Sequence, residues 1–163
     1  MAASKVKRVA RQKVDHASKA ATLYQSALRA AQAGKLSPDV RMKLEQAAQN
    51  GHVEAQYALG WAFLDQRYGR VSKRKSFVWM KAAADNGMTV ACFNVGVSFE
   101  AGDGVAQSDK QAAVYYLKGA ILGDRSCQFE ISRCFHHGIG VSKNRTMTQM
   151  LEQVFPEMER IHR

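Results

Sequence analysis

Cysteine is scarce in this chain of 163 residues: Cys92, Cys127 and Cys134 are its three, an odd number without paired short spacing. No disulfide framework or zinc knuckle is readable from them, and a reducing compartment is the simplest expectation. If Cys127 and Cys134 share one helix, a rise of about 1.5 Å per residue puts their Cα atoms roughly 10 Å apart, beyond the limit of about 7 Å for a disulfide. Apolar runs are also short. None approaches the roughly 18–20 residues of a membrane span, and none follows the basic start as a secretory signal requires. Acid is thin at the front of the chain: residues 1–50 carry ten Lys/Arg against three Asp/Glu, and residues 51–163 carry fourteen against eleven. The net charge of +10 therefore belongs mainly to the front and calls for an anionic neighbour, whether nucleic acid, acidic protein or lipid surface. With 46% apolar residues the chain has material for the core of one domain.

What the chain does have is a period. "GDGVAQSD" begins at Gly102 and "GIGVSKN" at Gly138, an offset of 36 residues that recurs in the series Gly51, Gly87, Gly123 and in Gly60, Gly96, Ser132. A period of this size marks stacked helix pairs, each too small to bury its own apolar face. Overlaying the units gives a buried stripe on each first helix: Ala55/Ala91/Cys127, Tyr57/Phe93/Phe129, Leu59/Val95/Ile131 and Phe63/Phe99/Phe135. Gly60, Gly96 and Ser132 are small within that helix, which predicts that another backbone crosses closely there. On the second helix, Ser76/Ala112, Trp79/Tyr115, Met80/Tyr116 and Ala83/Gly119 follow helical spacing, and Gly87 and Gly123 stand where a helix end wants positive φ. The Gly102/Gly104 pair then lies at a helix-to-helix turn, with Ser108 and Gln111 as a capping box. A phosphate loop is disfavoured, since the third glycine of a dinucleotide fingerprint, the P-loop lysine and a preceding strand are all missing.

These residues resemble the Sel1-like repeats, relatives of the tetratricopeptide repeats. The likeness rests on "AAQNGHVEAQYALGWAF", "AAADNGMTVACFNVGVSFEAGDGV" with "DKQAAVYYLKGAILGD", and a degenerate third copy "CQFEISRCFHHGIGVSKN", over roughly residues 47–155. It implies an all-α fold, a short α-solenoid of antiparallel helix pairs that holds proteins together, usually without catalysis. Two departures stand out: "QRYGRV" replaces Gly-x-Gly-Val in the first unit, and Pro156 interrupts the third where an Ala-Ala pair belongs, so its helix should end near Phe155. Upstream, Ser37 and Pro38 form a helix start leading to Val40, Leu44, Ala47 and Ala48, and residues 16–33, with Leu23, Ala27 and Leu28, supply a helix to pair with it. The expected layout is a basic amphipathic segment over 1–15, a degenerate capping helix pair over 16–50, three repeats over 51–155 and a tail over 156–163. In the first segment Val6, Val9, Ala10 and Val14 line one side, with Lys7, Arg8 and Arg11 around the rest.

Candidate sites are few. Cys127, Cys134, His136 and His137 invite a metal, but both cysteines fall at small packed positions of the repeat, and a third and fourth ligand are not evident, so no metal and no cofactor is expected. "SKRK", Ser72 to Lys75, matches a Ser-x-x-Lys nucleophile pattern without an oxyanion donor or an oriented base, and Ser72 is better placed as a helix cap. A hydrolase acting through Ser72 is the least supported function, and no catalytic residue or small-molecule substrate is expected. His16, His52 and His162 stand alone and read as surface residues. Arg67, Arg70, Lys73, Arg74 and Lys75 fall in nine residues without an acid among them, either a solvated loop or an anion-contacting one. Trp61 aligns with Val97 and Arg133, so the scaffold does not demand an aromatic there; it either faces a partner or packs on the upstream helix.

The expected function is a non-catalytic protein–protein interaction scaffold, an accessory subunit of a large assembly, for example a mitochondrial respiratory complex. Its partner-binding residues would be Trp61, the 67–75 loop cations and Lys5, Lys7, Arg8 and Arg11. The alternative is an RNA-contacting structural subunit of a ribonucleoprotein such as a mitochondrial ribosome, with Lys13 joining those cations on phosphates. An acidic lipid surface is a further candidate partner. The acid-poor amphipathic start resembles a mitochondrial import signal, which favours mitochondrion slightly over cytoplasm.

Overall fold

A computed structural model describes residues 2–154, with the side chains of 2–14 and of 152 outside the described set. Phe155, Pro156, His162 and the expected tail lie outside the described residues, as do the side chains of Lys5, Lys7, Arg8, Arg11 and Lys13 and the amphipathic stripe around them. The described residues form eight α-helices and no strand: α1 (Ala2–Gln32), α2 (Pro38–Gln49), α3 (Val53–Ala62), α4 (Lys73–Asp85), α5 (Thr89–Ala101), α6 (Asp109–Ile121), α7 (Arg125–His137) and α8 (Arg145–Val154). A 3-10 turn, Gln66–Tyr68, lies between α3 and α4. The fold is of the all-α, α-solenoid class. Where length allows one domain, the chain divides into two compact units, Met1–Ala83 and Ala84–Arg163. α1 runs without a break across the boundary expected at 15/16.

The period is written into the hydrogen bonds as well as the residues. The N–H of Ser72 donates to the carbonyl of Phe63 (2.8 Å), that of Ser108 to Phe99 (2.8 Å) and that of Asn144 to Phe135 (3.0 Å). Each connection thus closes over the same length and ends in a cap. Ser72 Oγ accepts from the Lys75 N–H (3.3 Å), Ser108 Oγ from the Gln111 N–H (3.3 Å) and Asn144 Oδ1 from the Met147 N–H (2.9 Å). In the second and third connections Gly102, Gly104, Gly138 and Gly140 all take left-handed φ between 67° and 78°, a region that favours glycine. The divergent "QRYGRV" reaches the same closing bond by another route: Asp65 caps the 3-10 turn and Gly69, at φ 116°, leads out of it.

Each unit has its own core. In the first, Ala27 of α1, Val40, Leu44, Ala47 and Ala48 of α2, and Ala55, Leu59, Ala62 and Phe63 around α3 bury together. In the second, Ala91, Cys92, Val95 and Phe99 of α5 meet α6 and the buried Cys127, Ile131 and Cys134 of α7. The small residues make room mostly for side chains: a Cβ on Gly96 would strike the ring of Tyr116, and one on Gly60 would strike the Met80 side chain and press on the Ser76 carbonyl, the close main chain of α4 that was expected there. Buried Gln56 and Gln128, two periods apart, each donate to a helix-end carbonyl, Ala48 and Ala120, at 3.3 Å. These bonds satisfy last-turn acceptors that a helix leaves open.

Candidate partner-binding groove

The first unit carries an open cavity of about 420 Å³. One wall is α1, where Tyr24, Ala27, Leu28 and Ala31 recur at i, i+3, i+4 and i+7 and so share a face. The floor is Val40 and Leu44 of α2, one turn apart. The other wall is Tyr57, Ala58, Trp61 and Ala62 of α3, and Asp65 and Tyr68 complete the lining. Trp61 is 48% exposed and meets Tyr57 edge-on, with ring centroids 6.3 Å apart. Burial raises the phenols of Tyr24 and Tyr68, and the charge of Glu54 adds to the first while that of Asp65 adds to the second. Tyr24 also packs on His52 at 4.5 Å. His52 is therefore no isolated surface residue: it is half-buried and caps α3, its Nδ1 accepting from the Ala55 N–H (3.3 Å).

Two repeat periods, 72 residues, bring α1, α2 and α3 onto α5, α6 and α7. The comparison explains the cavity. Ala27 stands where the second unit has Phe99, Leu44 where it has Tyr116, Leu28 where it has Glu100, and Trp61 where it has Arg133. In the second unit that space is filled. Phe99 stacks on Tyr115 with centroids 5.7 Å apart, and the Tyr116 hydroxyl donates to Glu100 Oε2 (2.9 Å). Arg133 donates to Glu100 (2.7 Å) and to Glu130 (2.6 Å). Burial works against the Arg133 charge, but the hydrogen bonds to Glu130 and Glu100 outweigh it and leave the guanidinium harder to deprotonate. The same backbone plan thus carries a closed polar network in one unit and an aromatic-walled opening in the other.

Beside the groove, the structure sorts the basic run. Arg67 is paired: its guanidinium grips Asp65 through Nη2 (2.6 Å) and Nε (2.9 Å), which lowers the carboxyl and raises the guanidinium. The acid lies two residues before Arg67, just outside the stretch in which none was found. Arg70, Lys73, Arg74 and Lys75 are exposed. Arg41 of α2, which sequence reasoning missed, joins them. Its guanidinium lies 5.1 Å from the centre of the Phe63 ring, its Nη1 donates to the Arg70 carbonyl (3.1 Å), and the Lys75 ammonium sits 5.3 Å from the same ring. Nothing in the sequence marks Arg41, because its role depends on where the loop returns.

The remaining candidates separate. Cys92, Cys127 and Cys134 are buried, with Cys92 and Cys127 packed around the bare α-carbon of Gly119. Burial pushes the Cys134 thiol up to about 11 and that of Cys127 higher still. His136 and His137 are exposed and contact each other edge-on at 4.7 Å. Among the described residues no three His, Cys, Asp or Glu side chains gather as a metal site, and no helix is long and apolar enough to cross a membrane. Ser72 serves as the α4 cap, as above, and His16 Nδ1 lies 3.1 Å from Asn50 Oδ1.

Helix pairs closed by repeated caps, with chemistry confined to variable faces, define a helical-repeat protein. The sequence matches the Sel1 repeat over residues 53–88, 89–124 and 125–148, more than half of the chain, and the protein belongs to that family. Sel1 repeat proteins serve as protein–protein interaction scaffolds. Among curated relatives, DAP3-binding cell death enhancer 1 of Rattus norvegicus is 32% identical over 93 residues, which are 57% of this chain and 18% of that protein. Protein SHC1 of Saccharomyces cerevisiae is 22% identical over 112 residues, 69% of this chain and 22% of the relative. The chain thus spans about a fifth of the length of these relatives. Among solved structures, a Sel1 repeat protein from Oxalobacter formigenes aligns with a TM-score of 0.73 at 20% identity, covering 82% of this chain and 56% of the other. A protective antigen of uropathogenic Escherichia coli aligns at 0.75 and 23% identity, covering 88% and 31%. At these identities the structures speak to the fold alone.

Proposed function

We propose that the protein is a non-catalytic interaction scaffold whose first unit grips a partner protein through the Trp61 groove, as an accessory subunit of a larger assembly, for which a mitochondrial complex is the favoured setting. The observation that carries this is a half-exposed Trp61 beside Tyr57 and Leu28 over a cavity that the equivalent helices of the second unit keep filled. Tryptophan is enriched among the residues that anchor protein interfaces, and ligand sites are concave and mostly apolar. The name of the rat relative, which records binding to DAP3, supports a protein-binding use of related repeats. The test is affinity purification with the wild type and with Trp61→Ala. The variant is expected to lose most of its specific partners with unchanged far-UV helical signal. Retention of every partner removes the groove from the function.

A second reading, contact with RNA as part of a ribonucleoprotein, is favoured by the charge of the first unit, sixteen Lys/Arg against five Asp/Glu. Arg41, Arg70, Arg74 and Lys75, with Lys5, Lys7, Arg8, Arg11 and Lys13, would neutralise phosphates. Each lost phosphate contact should lower the slope of log affinity against log salt by roughly 0.7 for single strands. RNA binding at low salt that is flat with added salt, or absent, removes this reading.

A further inference from the structure

The groove in the first unit has a definite missing part. Where α1 offers Ala27, the equivalent helix of the second unit offers Phe99, and where α2 offers Leu44 the equivalent offers Tyr116. The substitution is coordinated. In the second unit Gly96 makes room for the Tyr116 ring, whereas in the first the equivalent of Gly96 is Tyr24, which lines the opening together with the shorter Leu44. Two large side chains have been withdrawn from the inside of the packing and aromatic ones placed around its rim. At about 420 Å³ the opening lies in the range of roughly 300–1,000 Å³ typical of ligand sites, and its walls are mostly apolar and aromatic, with Asp65, which Arg67 already neutralises, as their one charged residue. Lining of this kind does not hold an anion, but its surroundings are cationic: Arg41, Arg70, Arg74 and Lys75 have no ion pair among the described residues.

We propose that this opening takes one bulky apolar side chain, phenylalanine or leucine, from an acidic segment of a partner protein, which inserts where Phe99 sits in the second unit while its flanking carboxylates meet the cations of α2 and the 67–75 loop. The inference rests on the scaffold function proposed above and adds to it the occupant. Insertion of a side chain into a preformed, apolar, partly dry pocket gives the anchor contact of an interface, and charge complementarity around it sets approach and orientation. The lining holds no Lys or Arg to meet a phosphate, which favours an apolar side chain over RNA as its occupant.

The test is to pan a random peptide library against the full chain and measure the enriched peptides by fluorescence anisotropy on three proteins: wild type, Ala27→Phe, which restores the repeat-typical ring, and Leu28→Glu/Trp61→Arg, which transplants the ion pair of the second unit. Far-UV dichroism and thermal melts confirm that each variant is folded, and the double variant carries the test if Ala27→Phe is not. The expected peptides hold one Phe or Leu among Asp and Glu, and lose about tenfold or more in affinity on either variant and on replacement of that one residue by alanine. Peptides that depend on Trp61 but bind Ala27→Phe as tightly as wild type overturn the insertion while leaving the scaffold function in place. Enriched peptides with net positive charge overturn the acidic partner. If no Trp61-dependent peptide emerges at all, both the insertion and the groove fall together.

Discussion

The two units are built on one plan and differ in what they keep for themselves. The second holds eight Lys/Arg against nine Asp/Glu and spends its charges internally, Arg133 on Glu100 and Glu130, Lys118 on Asp85. The first holds sixteen against five, and in its 67–75 loop Arg67 pairs with Asp65 while Arg70, Arg74 and Lys75 stand exposed. Likewise the second fills its interhelical space with Phe99 and Tyr116, and the first leaves the equivalent space open behind Trp61. A repeat constrains the residues between helices and releases those on the faces, so function is found where equivalent positions disagree. The disagreement here is one-sided: the second unit pairs Arg133 with its own carboxylates, and the first presents Trp61 at the equivalent place.

The strongest check on the shared plan is the core itself. Leu59→Ala and Ile131→Ala, equivalent positions at 0% and 1% exposure, should each cost about 2–5 kcal/mol in urea unfolding. A large inequality between them breaks the equivalence on which the comparison stands. Exchanging the face residues should be unequal instead. Arg133→Trp strands two half-buried carboxylates and should cost about 1.5–3 kcal/mol, since hydrogen bonds to charged groups are lost. Trp61→Arg, on an exposed position, should stay within about 0.5 kcal/mol of wild type. Denaturation midpoints that move alike in both variants erase the distinction between a closed network and an open groove.

A finer comparison uses the helix glycines. Gly96→Ala pushes a Cβ into the Tyr116 ring, whose hydroxyl is anchored on Glu100, and should cost about 1–3 kcal/mol despite the gain in helix propensity. Gly60→Ala presses on Met80 Cγ, close to the root of a buried side chain, and on the Ser76 carbonyl, and should cost about 1–2 kcal/mol, the smaller loss of the two because no hydrogen bond to a carboxylate anchors the thioether. Thermal melts of both variants decide it; equal losses show that ring and thioether are equally rigid neighbours.

The fold was legible because its causes are local and periodic. Leu59, Val95 and Ile131, the caps Ser72 and Ser108, and the turn glycines each announce themselves at 36-residue spacing. The groove was not, because it is a property of absence. Ala27 looks like any helix-forming alanine until the period is carried back two turns of the repeat into α1, where the glycine markers that signal the register are missing. The Asp65–Arg67 pair was hidden by the edge of a charge run, and the role of Arg41 by a loop whose path only coordinates reveal. Trp61 was visible as an oddity among Val97 and Arg133, and its exposure follows from the same comparison.

A last comparison distinguishes the units by their thiols. All three cysteines belong to the second unit and none to the first. Burial holds the Cys134 thiol protonated, moving its titration from the ordinary 9.0 to about 11. A group whose pKa is raised by folding contributes its stability below the unfolded value and loses it as pH climbs through the folded one, because the unfolded chain then gains by ionising. Between pH 9 and 11 the wild type should therefore weaken through this group, by about 1.4 kcal/mol at pH 10 when one unit of ionisation is open only to the unfolded chain. Cys134→Ala lacks that contribution, so the gap between its urea midpoint and that of the wild type should narrow from pH 8 to pH 10. Parallel midpoints over that range would place the thiol in contact with water, and Ellman's reagent at pH 8 would then label it in the folded protein as fast as in urea.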